Sequence, residues 1–412
     1  LVGSEMCIRD RYQTVGCAFD QQMIYETNKA VIDIYDEYKD VLDNPDSALI
    51  ETLRTQFDKY EPTLIGLDGQ VKEYREENYY GDIGEKQHRH ISQLVGLYPG
   101  TSISDDTPAW LDGAKVTLIN RGLDTGTGWS VAHKLGMWAR TGDGETSYKL
   151  VQGLLKLHVF DNLWNKHDAT NDLTTAVFQA EGNFGGTAGI CEMLLQSHGE
   201  YVKPLPAVPA AWSMGSYKGL VARGNFEISC DWENMTAKKI EAVSNAGGKL
   251  KLNYYNIANA SVTDGDGNAV SFETIDKDHI AIDTNKGDKI IIENIESYAV
   301  TKDVSNVSAV KEADNTNISW DASESDGAVY NVYRALESSP TYELLAQNVS
   351  ALSYTDNSRN GKQATYKVRA LAPSCEESAG QTKTVIADAS TVSGIKAFMA
   401  DESHLQVCYN KG

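Results

Sequence analysis

The sequence predicts a multidomain chain: an all-α toroid or solenoid of helix hairpins, then a small antiparallel β domain, then a β-sandwich. Three observations predict it. Apolar residues recur at three- and four-residue steps from Tyr12 to about Leu195. Pro204, Pro206 and Pro209 then mark a change to a period of two. From about Val304, an early-strand Trp and a late Tyr-x-Val frame alternating strands. A length of 412 residues allows roughly two to four domains.

In the helical part, Met23, Ile24, Val31, Ile34, Tyr35 and Tyr38 lie on one helical face. Asn44-Pro45-Asp46 breaks that run and starts another, with Leu49, Leu53, Phe57 and Tyr60 on one side. Pro108 opens a helix through Leu118. Trp129 to Ala139 is a strongly apolar helix, and Thr141 to Gly144 separates it from Glu145 to Leu157. A last helix spans Gly185 to Ser197, with small residues on its first turn for close packing. Polar and Gly-rich loops separate these helices and hold the unusual residues, which places function in the loops.

The β domain is read from Leu220 to Arg223, Phe226 to Ser229, Lys249 to Tyr254, Ile280 to Ile282 and Lys289 to Ile292. A turn signal stands at Asp264-Gly265-Asp266-Gly267-Asn268. In the sandwich, strands are expected around Trp320, Tyr330 to Arg334, Tyr354 to Asp356 and Thr365 to Ala370. This pattern resembles fibronectin type III. The expected divisions are 12–203, 204–300 and 304–388, with 391–412 as the start of a further module. Leu1 to Arg11 reads as a non-native leader, without an initiator Met or an apolar signal core.

The net charge is -21, which argues against nucleic acid and anionic membranes as partners, because phosphates would be repelled. No apolar run reaches the ~18 residues of a transmembrane helix. The six cysteines form no C-x-x-C pair and are too scattered for a disulfide framework, so buried free thiols are expected.

Three constellations carry chemistry. The first runs from Gln87 through His88, Arg89, His90, Ser92 and Gln93 to the Tyr98-Pro99-Gly100 turn. Such a density of hydrogen-bonding groups is poor core material unless a polar ligand supplies partners. Helix-cap and loop hydrogen bonding explains any one of these residues, but less well all of them together. Arg89 offers five donors in a fixed fork, suited to vicinal hydroxyls. His88-x-His90 lacks a third ligand at recognisable spacing, so no metal is expected.

The second constellation is Phe178-Gln179-Ala180-Glu181-Gly182-Asn183-Phe184-Gly185-Gly186. Capping by Asn183 and tight packing by the glycines is one reading. Glu181 as a base or water-orienting group is the other, and the residues alone leave the two even. The third is Asp124 to Ser130, where Trp129 either stacks on a sugar face or starts a core helix. Trp138 and Trp164 are expected in the core. Glu73, beside the first loop, is a further pocket candidate in a run of acids. No GxSxG, Cys/His pair or Walker loop is present. Carboxylates, amides, Arg, His and aromatics suit a neutral polyhydroxylated substrate and carboxylate-driven glycosidic cleavage.

Taken together, these motifs resemble glycoside hydrolase family 95, the inverting α-L-fucosidases with α-L-galactosidase relatives. The resemblance runs from about Ala18 to Trp232. It is carried by Gly69 to Tyr74, His88 to Ser92, Gly96 to Gly100, Thr127 to Ser130, Trp138 to Arg140, Gly142 to Gly144, Gln179 to Gly186 and Leu205 to Ala207. It implies an (α/α)6 toroid, here partial, followed by the family's small β domain. It also implies a Glu general acid, and a water activated by two Asn side chains held by an Asp. Glu181 matches that Asp; Arg89 and His90 match the sugar-binding pair. Gln179, Trp129, Glu73 and Asn183 complete the expected substrate contacts.

Three positions depart from the family: Glu181 stands for Asp, Gln93 for a His, and Thr175 for a sugar-contacting His. They leave the preference between fucose and L-galactose open. The general acid and the Asn pair belong upstream of the matched region, so this chain is expected to be inactive alone. No cofactor is implied. The expected substrates are fucosylated oligosaccharides or glycoconjugates, and the expected location is secreted or cell-surface. A degenerate toroid that binds carbohydrate without turnover is the alternative; a phosphorylase would need a basic phosphate pocket, which is not seen.

Overall fold

The structure is a computed structural model. It describes residues 16–57, 59–83, 88–123, 126–170, 172, 174–296, 300–312, 315–388, 392–401 and 404–411. The leader, Gln87, Asp124 and Thr125 lie outside the described residues. The chain forms two compact units, divided at Tyr298.

The first unit begins with six α-helices among the described residues: α1 (Ala18–Tyr38), α2 (Ser47–Phe57), α3 (Pro108–Arg121), α4 (Gly128–Arg140), α5 (Gly144–Leu157) and α6 (Ala180–Leu194). Their starts follow local chemistry. Pro108 sits at the first position of α3. The Thr127 hydroxyl caps α4 by accepting from Ser130 N, and Asp143 caps α5 through Thr146 N at 2.8 Å. α4 is buried along nearly its whole length, and Leu135, Met137 and Ala139 are fully enclosed.

α6 starts at Ala180, five residues before the start expected from sequence. The glycines of its first turns therefore lie inside the helix and not in a turn before it. They are tolerated there because α6 lies against α4. A Cβ on Gly189 would stand 2.5 Å from Leu135 Cγ, and one on Gly185 3.0 Å from Ala132 Cβ. Two other expectations differ. Trp164 is not core: it is 57% exposed and packs on Phe178 at 4.8 Å. The apolar face of α1 is there, but Met23, Ile24, Val31, Ile34 and Tyr38 are 38 to 53% exposed.

After a short pair, β1 (Leu195–Gln196) with β2 (Lys203–Pro204), comes an antiparallel domain. Its five-stranded sheet contains β3 (Met214–Ala222), β4 (Phe226–Glu233), β5 (Thr236–Ser244), β10 (Lys289–Glu293) and β7 (Ser261–Asp264) in that order. A three-stranded sheet orders β6 (Gly248–Asn253), β9 (His279–Thr284) and β8 (Glu273–Thr274). Alternate residues such as Phe226, Ile228, Cys230 and Trp232 face one core with Leu250, Leu252, Ile280 and Ile282. The turn signal is fulfilled: Asp264 Oδ1 accepts from Asp266 N and Asn268 N, both at 2.9 Å.

In the second unit, β11 (Ser305–Glu312), β12 (Asn315–Asp321) and β15 (Ser353–Asp356) form one antiparallel sheet. β14 (Glu343–Val349), β13 (Val329–Leu336), β16 (Ala364–Leu371) and β17 (Gln381–Val385) form another. Ile318, Trp320, Tyr330, Val332, Tyr366 and Val368 share their core. β18 (Val392–Asp401) pairs with β19 (His404–Lys411).

Candidate functional site

The loop from His88 to Ser102 is held by side chains from three helices. From α1, Gln22 donates to Gln93 O at 2.8 Å and accepts from Gly96 N at 2.8 Å. One turn on, Glu26 Oε1 accepts from Thr101 N, Ser102 N and Ser102 Oγ at 2.7 to 2.8 Å. From α3, the buried Arg121 donates through Nη1 to His90 O at 2.9 Å and to His88 O. From α4, Arg140 donates to Gly100 O at 3.2 Å while its other nitrogens grip Glu192. Gly136 leaves room for the Tyr98 ring, since a Cβ there would lie 2.6 Å from Tyr98 Cε1. The loop is thus fixed by side chains of α1, α3 and α4.

Glu73 meets this loop directly: Ser92 Oγ donates to Glu73 Oε1 at 3.0 Å. Burial lowers Arg121 to about 10, and the negative charge of Glu73 opposes that shift. His90 is half-buried, with its ring 5.2 Å from that of His88. Burial pulls His90 down to about 4, reinforced by the charges of Arg89, His88, His133 and His167. Arg89 itself is exposed.

His133 was not singled out from sequence. It follows Trp129 at the i, i+4 spacing that places two side chains on one helical face. Their rings stack at 5.0 Å and 10°. His133 Nε2 contacts Tyr98 O at 3.2 Å, which suits a neutral ring with its proton on Nε2. Burial holds it near that state by lowering its pKa to about 4. Gln179 joins the same wall: its Oε1 accepts from Trp129 N at 2.7 Å. The structure therefore joins Trp129, His133 and Gln179 in one wall, ties Glu73 to the loop that carries His90, and connects the two through Tyr98 O and His133.

The remaining candidates sit at the start of α6. Asn183 is committed within the protein, accepting from Asn165 N at 2.9 Å and donating to Leu163 O at 2.7 Å. Between these contacts lies Asn165, fully buried and wedged between the first turns of α4 and α6. Its Oδ1 would be 2.2 Å from a Cβ on Gly128 and 2.1 Å from one on Gly182. Glu181 is exposed on the first turn of α6, where a helix dipole favours a carboxylate. Thr175 is exposed as well, and Gln93 is fully buried.

What sequence reasoning missed are the long-range anchors Gln22, Glu26 and Arg121, and the ring of His133. Only His133 had a local signal, its spacing from Trp129. Among the described residues, no group of three or more His, Cys, Asp or Glu is placed to hold a metal ion. No helix among them is long and apolar enough to cross a membrane. Cys17, Cys191, Cys230 and Cys375 are free thiols, two of them buried.

A family model described as "Glycosyl hydrolase family 95 catalytic domain" matches residues 7–194. A second, "Glycoside hydrolase family 95, C-terminal domain", matches residues 196–292. Alpha-L-fucosidase 2 of Arabidopsis thaliana is 34% identical over 203 residues, which are 47% of this chain and 23% of the relative. Probable alpha-fucosidase A of Aspergillus oryzae is 29% identical over 240 residues, 54% of this chain and 32% of the relative. The chain thus spans about a quarter to a third of the length of these relatives. Among solved structures, a Fn3-like protein from Clostridium thermocellum matches 21% of this chain and 92% of its own at 27% identity. Its TM-score of 0.19 is too low to carry an argument.

Proposed function

The chain belongs to glycoside hydrolase family 95, and from that premise we propose that it carries the sugar-holding wall of an inverting exo-glycosidase. The reaction is release of terminal α-L-fucose, or α-L-galactose, from oligosaccharides or glycoconjugates. The relatives named for fucosidase activity support that substrate class. The observation that carries the reading is the loop clamped by Gln22, Glu26 and Arg121, which carries His90 and whose Tyr98 carbonyl meets His133 of the Trp129–His133 stack.

In this reading, Arg89 and His90 hold sugar hydroxyls. Neutral His90 both donates and accepts hydrogen bonds, as a hydroxyl requires. Trp129 and Gln179 form the adjoining wall, and Glu73 fixes Ser92. Asn183 positions the 163–165 segment through its two hydrogen bonds. Exposed Glu181 orients or activates the water that attacks the anomeric carbon from the face opposite the leaving oxygen. In this reading the carboxylic acid that protonates that oxygen is not among the residues assigned here, and the chain alone turns over unactivated substrates poorly. No cofactor is needed, because protonation and water activation suffice. The helices form part of an (α/α)6 toroid, the second unit is a fibronectin type III-like sandwich, and the protein is secreted or held at the cell surface.

The test has two arms. The present chain is assayed on an unactivated fucosyl oligosaccharide, where efficient hydrolysis would refute the absence of the acid. The protein extended upstream is then assayed by NMR for the anomer released. Release of the inverted sugar supports the reading, and binding of fucosides without turnover replaces it with a carbohydrate-binding protein on the same scaffold.

A further inference from the structure

A cleft of about 220 Å³ opens where the end of α4 and the turn after it meet β2 and the turn after β6. No candidate of the sugar site described above lines it. It lies at the junction of the regions matched by the two family models, and such junctions are common places for ligands. Ligand pockets usually run from about 300 to 1,000 Å³, so this one has room for a single small ring.

The charges in its walls are already answered. Arg140 is held by Glu192 through Nε to Oε2 at 2.5 Å and Nη2 to Oε1 at 2.9 Å. Lys203 pairs with Asp105. A cleft with both cations neutralised favours an uncharged ligand, because a second anion would have to displace a carboxylate.

Hydroxyl-binding groups remain. Gln196 donates both amide hydrogens into the protein, to Ala139 O at 2.8 Å and Glu192 O at 2.9 Å. Its Oε1 is left as an acceptor on a residue that lines the cleft. Asn253 spends its amide on His279 Nε2 at 2.7 Å, which leaves its oxygen in the same way. The Lys203 ammonium adds a donor, and burial brings it down to about 8. At the rim stands Tyr255, 52% exposed. Its turn is fixed, because Asp278 accepts from Tyr254 N at 3.0 Å and from Asn256 N at 2.8 Å. A half-exposed phenol ring, with the Lys277 ammonium 6.0 Å from its centre, beside two carbonyl acceptors and a donor matches a pyranose, which has an apolar C–H face and a rim of hydroxyls.

We infer that this cleft is a second saccharide-binding site, distinct from the His90–Trp129 wall, that takes one neutral hexose unit. It would hold a glycan to the protein away from the bond being cut. D-Galactose is the probe, titrated into the full chain by saturation-transfer NMR. Binding is expected to weaken at least tenfold in Tyr255→Ala and in Asn253→Ala, and to be unchanged in Lys218→Ala, an exposed residue that does not line the cleft. Tyr255 is surface-exposed, so its replacement leaves the fold intact, which a thermal melt checks. Absence of binding, or binding that survives Tyr255→Ala but falls in Arg89→Ala, overturns the inference. Tighter binding of D-galacturonate than of D-galactose overturns the neutral class.

Discussion

Arg121 Nη1 donates to the carbonyl of His90 at 2.9 Å, so a buried cation on α3 sets the position of a ring proposed to touch the substrate. The same nitrogen reaches His88 O, and the guanidinium lies 4.9 Å over the Tyr80 ring. Both bonds leave one nitrogen, so what lysine loses is the planar guanidinium over Tyr80 and the longer reach that brings that nitrogen between the two carbonyls. Arg121→Lys is therefore expected to weaken fucoside binding about tenfold or more. Hydrogen bonds to charged groups contribute about 1.5–3 kcal/mol each, so stability should fall by a similar amount. Urea unfolding read beside a binding titration checks both effects. Unchanged affinity in a destabilised protein would leave Arg121 with a structural role only.

A second expectation concerns Arg140 and Glu192, which are 5% and 20% exposed. Glu192→Leu strands a buried guanidinium and should cost about 3–5 kcal/mol. Arg140→Met added to it removes the stranded charge and should recover part of the loss. Denaturant midpoints of the two variants decide it; a double variant less stable than Glu192→Leu would contradict the pairing argument.

Glycines at two places should respond with opposite sign. Gly182→Ala pushes a methyl onto Asn165 Oδ1 and is expected to destabilise by about 1–3 kcal/mol or more. Gly153→Ala meets nothing within 4 Å inside α5 and should stabilise by about 0.5–1 kcal/mol. Melting temperatures are sufficient to read both.

Acid should weaken the first unit over a defined window. His90 and His133 titrate near 4 and His198 near 3 in the folded protein, against about 6.5 unfolded. The unfolded chain binds their protons first, so their contribution is full above about pH 6.5 and is lost as pH falls through 4. Each contributes on the order of 1–3 kcal/mol. Urea midpoints at pH 7, 5.5 and 4.5 should decline steadily, with a shallower decline in His133→Gln.

The readable parts of the sequence were those whose cause lies within a few residues. Thr127 and Asp143 announce α4 and α5 because a cap needs only the next turn. The alternation in Phe226 to Trp232 marks β4, since pleating places every second side chain inward. The start of α6 was misplaced because Gly182 and Gly185 read locally as a turn, whereas their role is contact with Asn165 and α4. Trp164 is apolar and yet exposed, and packs on Phe178 across a loop. In the candidate site, His90, Trp129, Gln179 and Glu73 were singled out by residue type. The residues that seat them, Gln22, Glu26 and Arg121, act across 31 to 76 positions of chain and left no local mark.

The Trp129–His133 stack has an optical consequence. An imidazolium lying flat on an indole withdraws its excited electron and darkens its emission, while a neutral imidazole leaves it bright. With His133 neutral down to about pH 4, Trp129 should glow through the working range and dim below it. Against the other six tryptophans, the signal missing in Trp129→Phe isolates this one ring. The candidate site thus carries its own lamp, and the binding proposed for that wall can be followed by light without any label.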